Sequence, residues 1–413
     1  MPEIPEEPDG PKVPEEPTVE EHAVGFSAQL AGDNGQAAGA RRTAATRSAG
    51  DPLPGDGELT TELLRQVGFG VYCWYTGTST YTSGHIKDCA QYELMQNQRV
   101  YDSTPSAEDP NWTYSPSKYW PLAENEKLTL RAYAPYVSYQ LQTDANGLPQ
   151  LPVAITENDY HSGKQHDPLW GTSKYVGPET RYGELYDNYT FVMSGDALGA
   201  DSGDGTINWY FHHGMTRLIF MLSVIGDAGC DRVTITGITI KPLYDKGLLD
   251  LSSESTSSST KPTWTDRAPA DPDGMTVELE EGDTDPPSEA TSDLAPVPAA
   301  LSGNAEQAAY PFTIKVGNQD TEYIELLRKG LLIIPRDYSS TPMDISISYY
   351  IDGDKAHPST AKGTITQNFE GNTSYELKLL LSPKTNGLEI TLVQSAFTPW
   401  TQGGTGSHEV YNW

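Results

Sequence analysis

Apolar residues in this chain recur at every second position in short runs, and that period constrains the fold more than any other feature. Val24, Phe26, Ala28 and Leu30 form one such run, set off by Gly25, Ser27 and Gln29, and Tyr375, Leu377, Leu379 and Leu381 form another. Successive side chains on a strand point to opposite faces, so each run predicts one half-buried strand. Further strands are expected at 71–75, 128–134, 189–193, 233–240, 331–334, 345–351 and 388–393. The run 209–224 is apolar on both alternating sets, which predicts a single strand buried on both faces. Helical spacing is confined to 60–66 and 321–328, each about two turns long. Strand after strand with turns between them predicts an all-β chain of sandwiches rather than an α/β fold. Tyrosines (24) far outnumber phenylalanines (8), and 38 Gly with 31 Pro supply the turns such a fold needs.

A chain of 413 residues is too long for one ordinary core. Residues 1–22 carry Pro2, Pro5, Pro8, Pro11, Pro14 and Pro17 with acidic residues in most gaps. Polyproline II has three residues per turn, so this segment is expected to be either a stiff spacer or a disordered acidic tail. Residues 23–58 hold the first strand and an Ala/Gly/Asp/Pro linker containing Arg41, Arg42 and Arg47. A first β-sandwich is expected over 59–203, with long loops and a hairpin at 137–187. The Gly- and Asp-rich stretch 195–205 marks the boundary, and a second sandwich is expected over 204–413. Within it, 252–309 is serine-rich, proline-rich and acidic, and is expected to be an insertion or long loop with no core of its own.

The net charge of −30 repels phosphate backbones, so nucleic acid is not an expected partner. With three cysteines at most one disulfide can form: Cys73 and Cys89 could pair if adjacent strands bring them together, or all three, Cys230 included, serve as small buried hydrophobes. His212 and His213 are neighbours on one strand and so point to opposite faces, which prevents joint chelation of one metal. Asp201, Asp204 and Gly205, and again Asp271, Asp273 and Gly274, fall short of a calcium-loop ligand set. Nucleophile elbow, zinc-peptidase, P-loop and dinucleotide motifs are missing from the sequence. No catalytic residue, metal or cofactor is therefore assigned, and the chain is read as not an enzyme. Trp112, Tyr114, Tyr119 and Trp120 either pack the sandwich or stack on sugars, and packing is the favoured reading. No run of about 18 apolar residues is present to cross a membrane as a helix. Met1 leads straight into Pro2 and Glu3 without a leader, as in a cytoplasmic protein or a mature exported fragment.

Several stretches together resemble the fimbrillin family of Bacteroidales-type surface subunits. They are 69–72 (FGVY), 95–100 (MQNQRV), 112–116 (WTYSP) with 119–121 (YWP), 128–135 (LTLRAYAP), 211–213 (FHH) with Arg217 and Leu218, 332–335 (LIIP), 371–375 (GNTSY) and 399–400 (PW). The resemblance implies two transthyretin-like β-sandwiches in tandem, export to the outer membrane as a lipoprotein, and a structural role in a cell-surface fimbrium. It also implies that an arginine-specific protease removes an N-terminal strand and that a strand of a neighbouring subunit takes its place. On that scheme Arg41, Arg42 and Arg47 are the processing candidates and Val24, Phe26, Ala28 and Leu30 mark the displaced strand. Leu388, Ile390, Leu392, Phe397, Trp400 and Val410 mark the donor. Partners would be other fimbrial subunits, with surface glycans or proteins as further candidates, and contact with a membrane would be through a lipid anchor alone. The lipobox cysteine of the family is not in this sequence. The alternative is a surface adhesin or carbohydrate-binding lipoprotein that does not polymerise.

Overall fold

The computed structural model describes residues 23–30, 61–78, 86, 90–121, 126–157, 159, 167–172, 190–192, 206–226, 228–251, 255–256, 259–268, 274–280, 310–326 and 330–394. Over these the chain is all-β, with the two-turn helix Thr61–Val67 ahead of the first long strand.

The first sheet runs in the order Gly25–Leu30, Thr206–His213, Leu169–Thr172, Lys127–Ala134, Phe69–Gly77, Tyr92–Asp102, Trp112–Thr113, and Thr190–Val192 pairs with the start of Lys127–Ala134. The second runs Met275–Glu280, Arg232–Leu243, Met343–Ile351, Ser359–Ile365, Gly387–Gln394, Thr373–Ser382, Thr216–Val224, Ile324–Glu325. Phe312–Lys315 pairs with Arg232–Leu243, and Leu331–Ile333 with Thr216–Val224. A smaller sheet joins the two halves of the chain: Pro149–Ala154 lies antiparallel to Lys246–Asp250, with Thr263–Ala268 and Gln142–Thr143 outside them. Within the stretch expected to hold long loops and a hairpin, Gln142–Thr143 and Pro149–Ala154 pair as a hairpin, and the second of these strands has its other partner about a hundred residues away.

Both faces of the first sheet are covered. Val71, Cys73, Leu128, Leu130, Ala132, Trp209 and Phe211 pack one cluster. From the opposite face Tyr72, Trp74, Tyr133 and Trp170 join a larger cluster that contains the apolar side chains of the second sheet. This is why Lys127–Ala134 is buried at every position.

Three expectations change. The run 209–224 is not one strand buried on both faces but two strands in different sheets. Burial falls on Ile207, Trp209, Phe211 and His213, then shifts phase to Thr216, Leu218, Phe220 and Leu222. The break is at Gly214, whose amide bonds the Pro168 carbonyl at 2.7 Å; a Cβ there would lie 2.7 Å from that same oxygen. Thr206–His213, assigned from sequence to the second block, therefore pairs within the first sheet. The stretch 252–309 is not wholly a loop, because Thr263–Ala268 and Met275–Glu280 are strands that bury Trp264 and Val277. Trp264 stands alone among polar neighbours, and the short alternation of Met275, Val277 and Leu279 is set in an acidic stretch. Finally, the helix expected at 321–328 is replaced by a short bridge at Ile324–Glu325, while Thr321 is buried, its hydroxyl accepting the Val224 amide at 2.8 Å.

Candidate functional site: a seam closed by the leading strand

Gly25–Leu30 pairs in parallel with Thr206–His213, in a register from Gly25 opposite Thr206 to Leu30 opposite Phe211. It is one end of the first sheet's strand order and Trp112–Thr113 is the other. Yet the Val24 amide donates to the Lys118 carbonyl at 2.8 Å, and the Tyr114 hydroxyl donates to the Val24 carbonyl at 2.8 Å. Ala23 forms an isolated bridge with Tyr119. The sheet therefore curls until its two ends meet across the leading strand, which closes the seam between them.

The alternation of the sequence sets what the strand buries. Val24, Phe26, Ala28 and Leu30 face the core, and Gln29 is exposed. Phe26 packs 5.4 Å from Tyr114 and 6.3 Å from Phe69 between ring centroids, and Phe69 in turn lies 5.3 Å from Phe211 and 5.2 Å from Trp112. Burial of a Val, Leu or Phe side chain contributes about 1.5–3 kcal/mol, so the strand is held chiefly by three side chains. Among the described residues, Ser27 and Asn208 share a side-chain hydrogen bond, and the Leu30 amide donates to Thr61 Oγ1 at 3.2 Å. At Gly25 an added Cβ would sit 2.6 Å from Thr206 Oγ1, which limits that position to a residue without a side chain unless the threonine turns away.

The other residues singled out from sequence are scattered or lie elsewhere. Arg41, Arg42, Arg47, Phe397, Trp400 and Val410 are outside the described residues, as are Cys89, Asp201, Asp204, Asp271 and Asp273. Leu388, Ile390 and Leu392 belong to Gly387–Gln394, which is paired residue by residue with Thr373–Ser382 of the same chain. Trp120 is buried and Trp112 and Tyr114 pack on the core of the seam, while Tyr119 stays 47% exposed. His213 and His212 do face opposite ways. His213 Nδ1 lies 2.7 Å from the buried Asp167 carboxylate, and His212 packs 5.3 Å from the Trp170 ring. Burial, with His213 beside it, pushes the His212 imidazole down to about 3. Among the described residues no group of three or more His, Cys, Asp or Glu side chains is placed to hold a metal.

A contact that the sequence did not signal borders the seam. Arg65, on the helix after the linker, donates from Nε to Asp102 Oδ2 at 2.7 Å. The pairing could not be read from spacing, since 37 residues separate the two and Asp102 ends a strand.

The fimbrillin-like family model matches residues 61–400, most of the chain and nearly all of the described fold. The chain belongs to the fimbrillin-like family. This fimbrillin-like chain is similar in structure to a fimbrial protein from Bacteroides vulgatus, with 16% identity and a TM-score of 0.53 over 90% of this chain and 99% of that one. Candidate cell adhesion proteins from Bacteroides uniformis and Bacteroides ovatus are 11% and 13% identical, each with a TM-score of 0.42, and match 94% and 91% of this chain over 100% and 96% of their own. No curated protein sequence matches the chain. Fimbrillin-like membership gives the chain a fimbrial or adhesive role at the cell surface, among other fimbrial subunits.

Proposed function

We propose that this chain is a non-enzymatic structural subunit of an outer-membrane fimbrium that joins its neighbours by strand exchange. The leading strand holds the seam closed until an arginine-specific protease cuts the linker at Arg41, Arg42 or Arg47. A strand from another subunit then takes its place. The observation that supports this reading is the parallel pairing of Gly25–Leu30 with Thr206–His213 on one side of the seam, together with the bonds of Val24 to Lys118 and Tyr114 on the other.

Removing the strand would leave the edge of Thr206–His213 unpaired and expose Phe69, Phe211 and Tyr114 to water, both unfavourable. A foreign strand relieves both costs by β-augmentation. Parallel pairing is slightly weaker per residue than antiparallel, so an incoming strand of opposite direction gains over the one it replaces. Donor and acceptor are different surfaces, so the contact does not close and a filament results. The donor is assigned to the C-terminal end. Either the tail carrying Phe397, Trp400 and Val410 supplies the strand, or Gly387–Gln394 leaves its pairing with Thr373–Ser382 and brings Leu388, Ile390 and Leu392. Attachment to the outer membrane would be through a lipid on the exported chain.

Limited trypsin treatment tests the reading. Cleavage between residues 41 and 47 is expected to be followed by a ladder of oligomers on non-boiled gels. Cut protein that stays monomeric while binding a glycan array would favour the non-polymerising adhesin instead.

A further inference from the structure

We infer that the helix Thr61–Val67 is a retained end-wall of the seam, pinned by Arg65 to Asp102 so that cleavage upstream empties the seam without dissolving its frame. The inference rests on the strand-exchange reading and adds to it a residue that positions the acceptor and a downstream limit to processing.

Residues 48–64 contain no Lys or Arg, so after Arg47 the next bond open to an arginine-specific protease is Arg65–Gln66. That guanidinium is bonded on every nitrogen. Nε reaches Asp102 Oδ2 at 2.7 Å, Nη2 the carbonyls of Ala107 at 2.8 Å and Thr104 at 3.3 Å, and Nη1 the Glu108 carbonyl at 3.4 Å. Asp102 is itself fixed: its side chain is fully buried, and Oδ1 accepts the amides of Thr104 and Asn111, each at 2.9 Å. The loop after Tyr92–Asp102 thus wraps the arginine head, and the helix is held by its charge as well as by Leu64, which is buried against the core of the seam.

Position makes the clamp useful. Thr61, at the start of this helix, accepts the last amide of the leading strand, that of Leu30. Once that strand leaves, the Thr61 hydroxyl stands vacant at the end of the seam, available to the amide of an incoming strand. A protease binds its substrate extended, so cutting at Arg65 requires the helix to open and the whole fork of bonds to break. The linker arginines carry no such requirement from this clamp. Processing at the linker therefore stops short of the end-wall.

The experiment uses the full chain and has two readouts. A trypsin time course followed by mass spectrometry should show ends at Arg41, Arg42 or Arg47 while the Arg65–Gln66 bond stays intact. In Asp102→Asn, cleavage at Arg65 should speed up by about tenfold or more, because the charge-assisted bond from Arg65 Nε has lost its carboxylate. Arg65→Gln, which cannot be cut there, serves the second readout. After the cut leading strand is displaced in mild denaturant and removed, a synthetic peptide copying residues 23–31 should bind this variant about tenfold more weakly than the cut wild type. Arg65→Lys should fail to restore affinity, since an ammonium cannot reproduce the fork. Wild-type cleavage at Arg65 as fast as at Arg47, or equal peptide affinity in Arg65→Gln, would overturn the inference. A protected Arg65 with weakened peptide capture but no oligomer ladder would leave the clamp standing and remove the polymer reading.

Discussion

Phe26 stands edge-on to Phe69, with ring centroids 6.3 Å apart and planes at 87°. One residue belongs to the leading strand and the other opens the first long strand of the sheet, so this contact joins the strand we propose is displaced to the sheet that would stay behind.

Replacing Phe26 by Ala should cost about 3–5 kcal/mol of the leading strand's hold, as expected for an aromatic deleted from a packed site. Hydrogen exchange on the intact chain checks this. The amides of Ser27 through Leu30 should exchange much faster, while those of Thr373–Ser382 in the second sheet should not change.

Gly214 marks the crossover between the two sheets, and Gly214→Ala should destabilise the whole chain. The new Cβ would meet the Pro168 carbonyl oxygen at 2.7 Å and Leu249 Cδ2 at 2.9 Å. An overpacked backbone contact of this kind costs about 1–3 kcal/mol, readable as a lower denaturant midpoint. Trp264, whose Nε1 donates to the Gly214 carbonyl at 2.8 Å, reports the same change through its fluorescence.

His212 should make stability fall on acidification. Its folded pKa of about 3 lies below the unfolded value, so the unfolded chain binds the extra proton first. Stability then drops from about pH 6.5 downward by up to about 1.4 kcal/mol per pH unit, until the folded form also protonates. Denaturant titrations of wild type and His212→Phe across this range should converge at neutral pH and part below it, with the variant less sensitive.

Asp102 acts in a lower window. Burial tends to raise its pKa, but the amides of Thr104 and Asn111 and the Arg65 guanidinium outweigh that and hold it below the usual carboxylate range. Its contribution is fully present above about pH 4, the unfolded value, and is lost as pH falls through the folded one. The difference in Tm between wild type and Asp102→Asn should be constant from pH 5 to 7 and vanish in stronger acid.

Much of the fold was legible in local periodicity, and what was not legible depended on distance along the chain. The leading strand could be read because Val24, Phe26, Ala28 and Leu30 alternate cleanly, and Gly387–Gln394 because Leu388, Ile390 and Leu392 do. Periodicity cannot say which strand lies beside which, so the parallel register with Thr206–His213 and the joining of Pro149–Ala154 to Lys246–Asp250 came only with the structure. The double apolar pattern of 209–224 misled because two strands of opposite phase meet there, with Gly214 and Met215 between their buried sets. Arg65 and Asp102 gave no signal, since each is an ordinary polar residue until the fold brings them together.

The most direct test is a reversible lock on the leading strand. Ser27 and Asn208 are opposite one another in register, so Ser27→Cys with Asn208→Cys should join that strand to its neighbour by a disulfide. Oxidised protein cut by trypsin in the linker should remain monomeric by light scattering, and adding a reductant should release the strand and start oligomer growth. Oligomers that grow equally well with the disulfide intact would contradict the account.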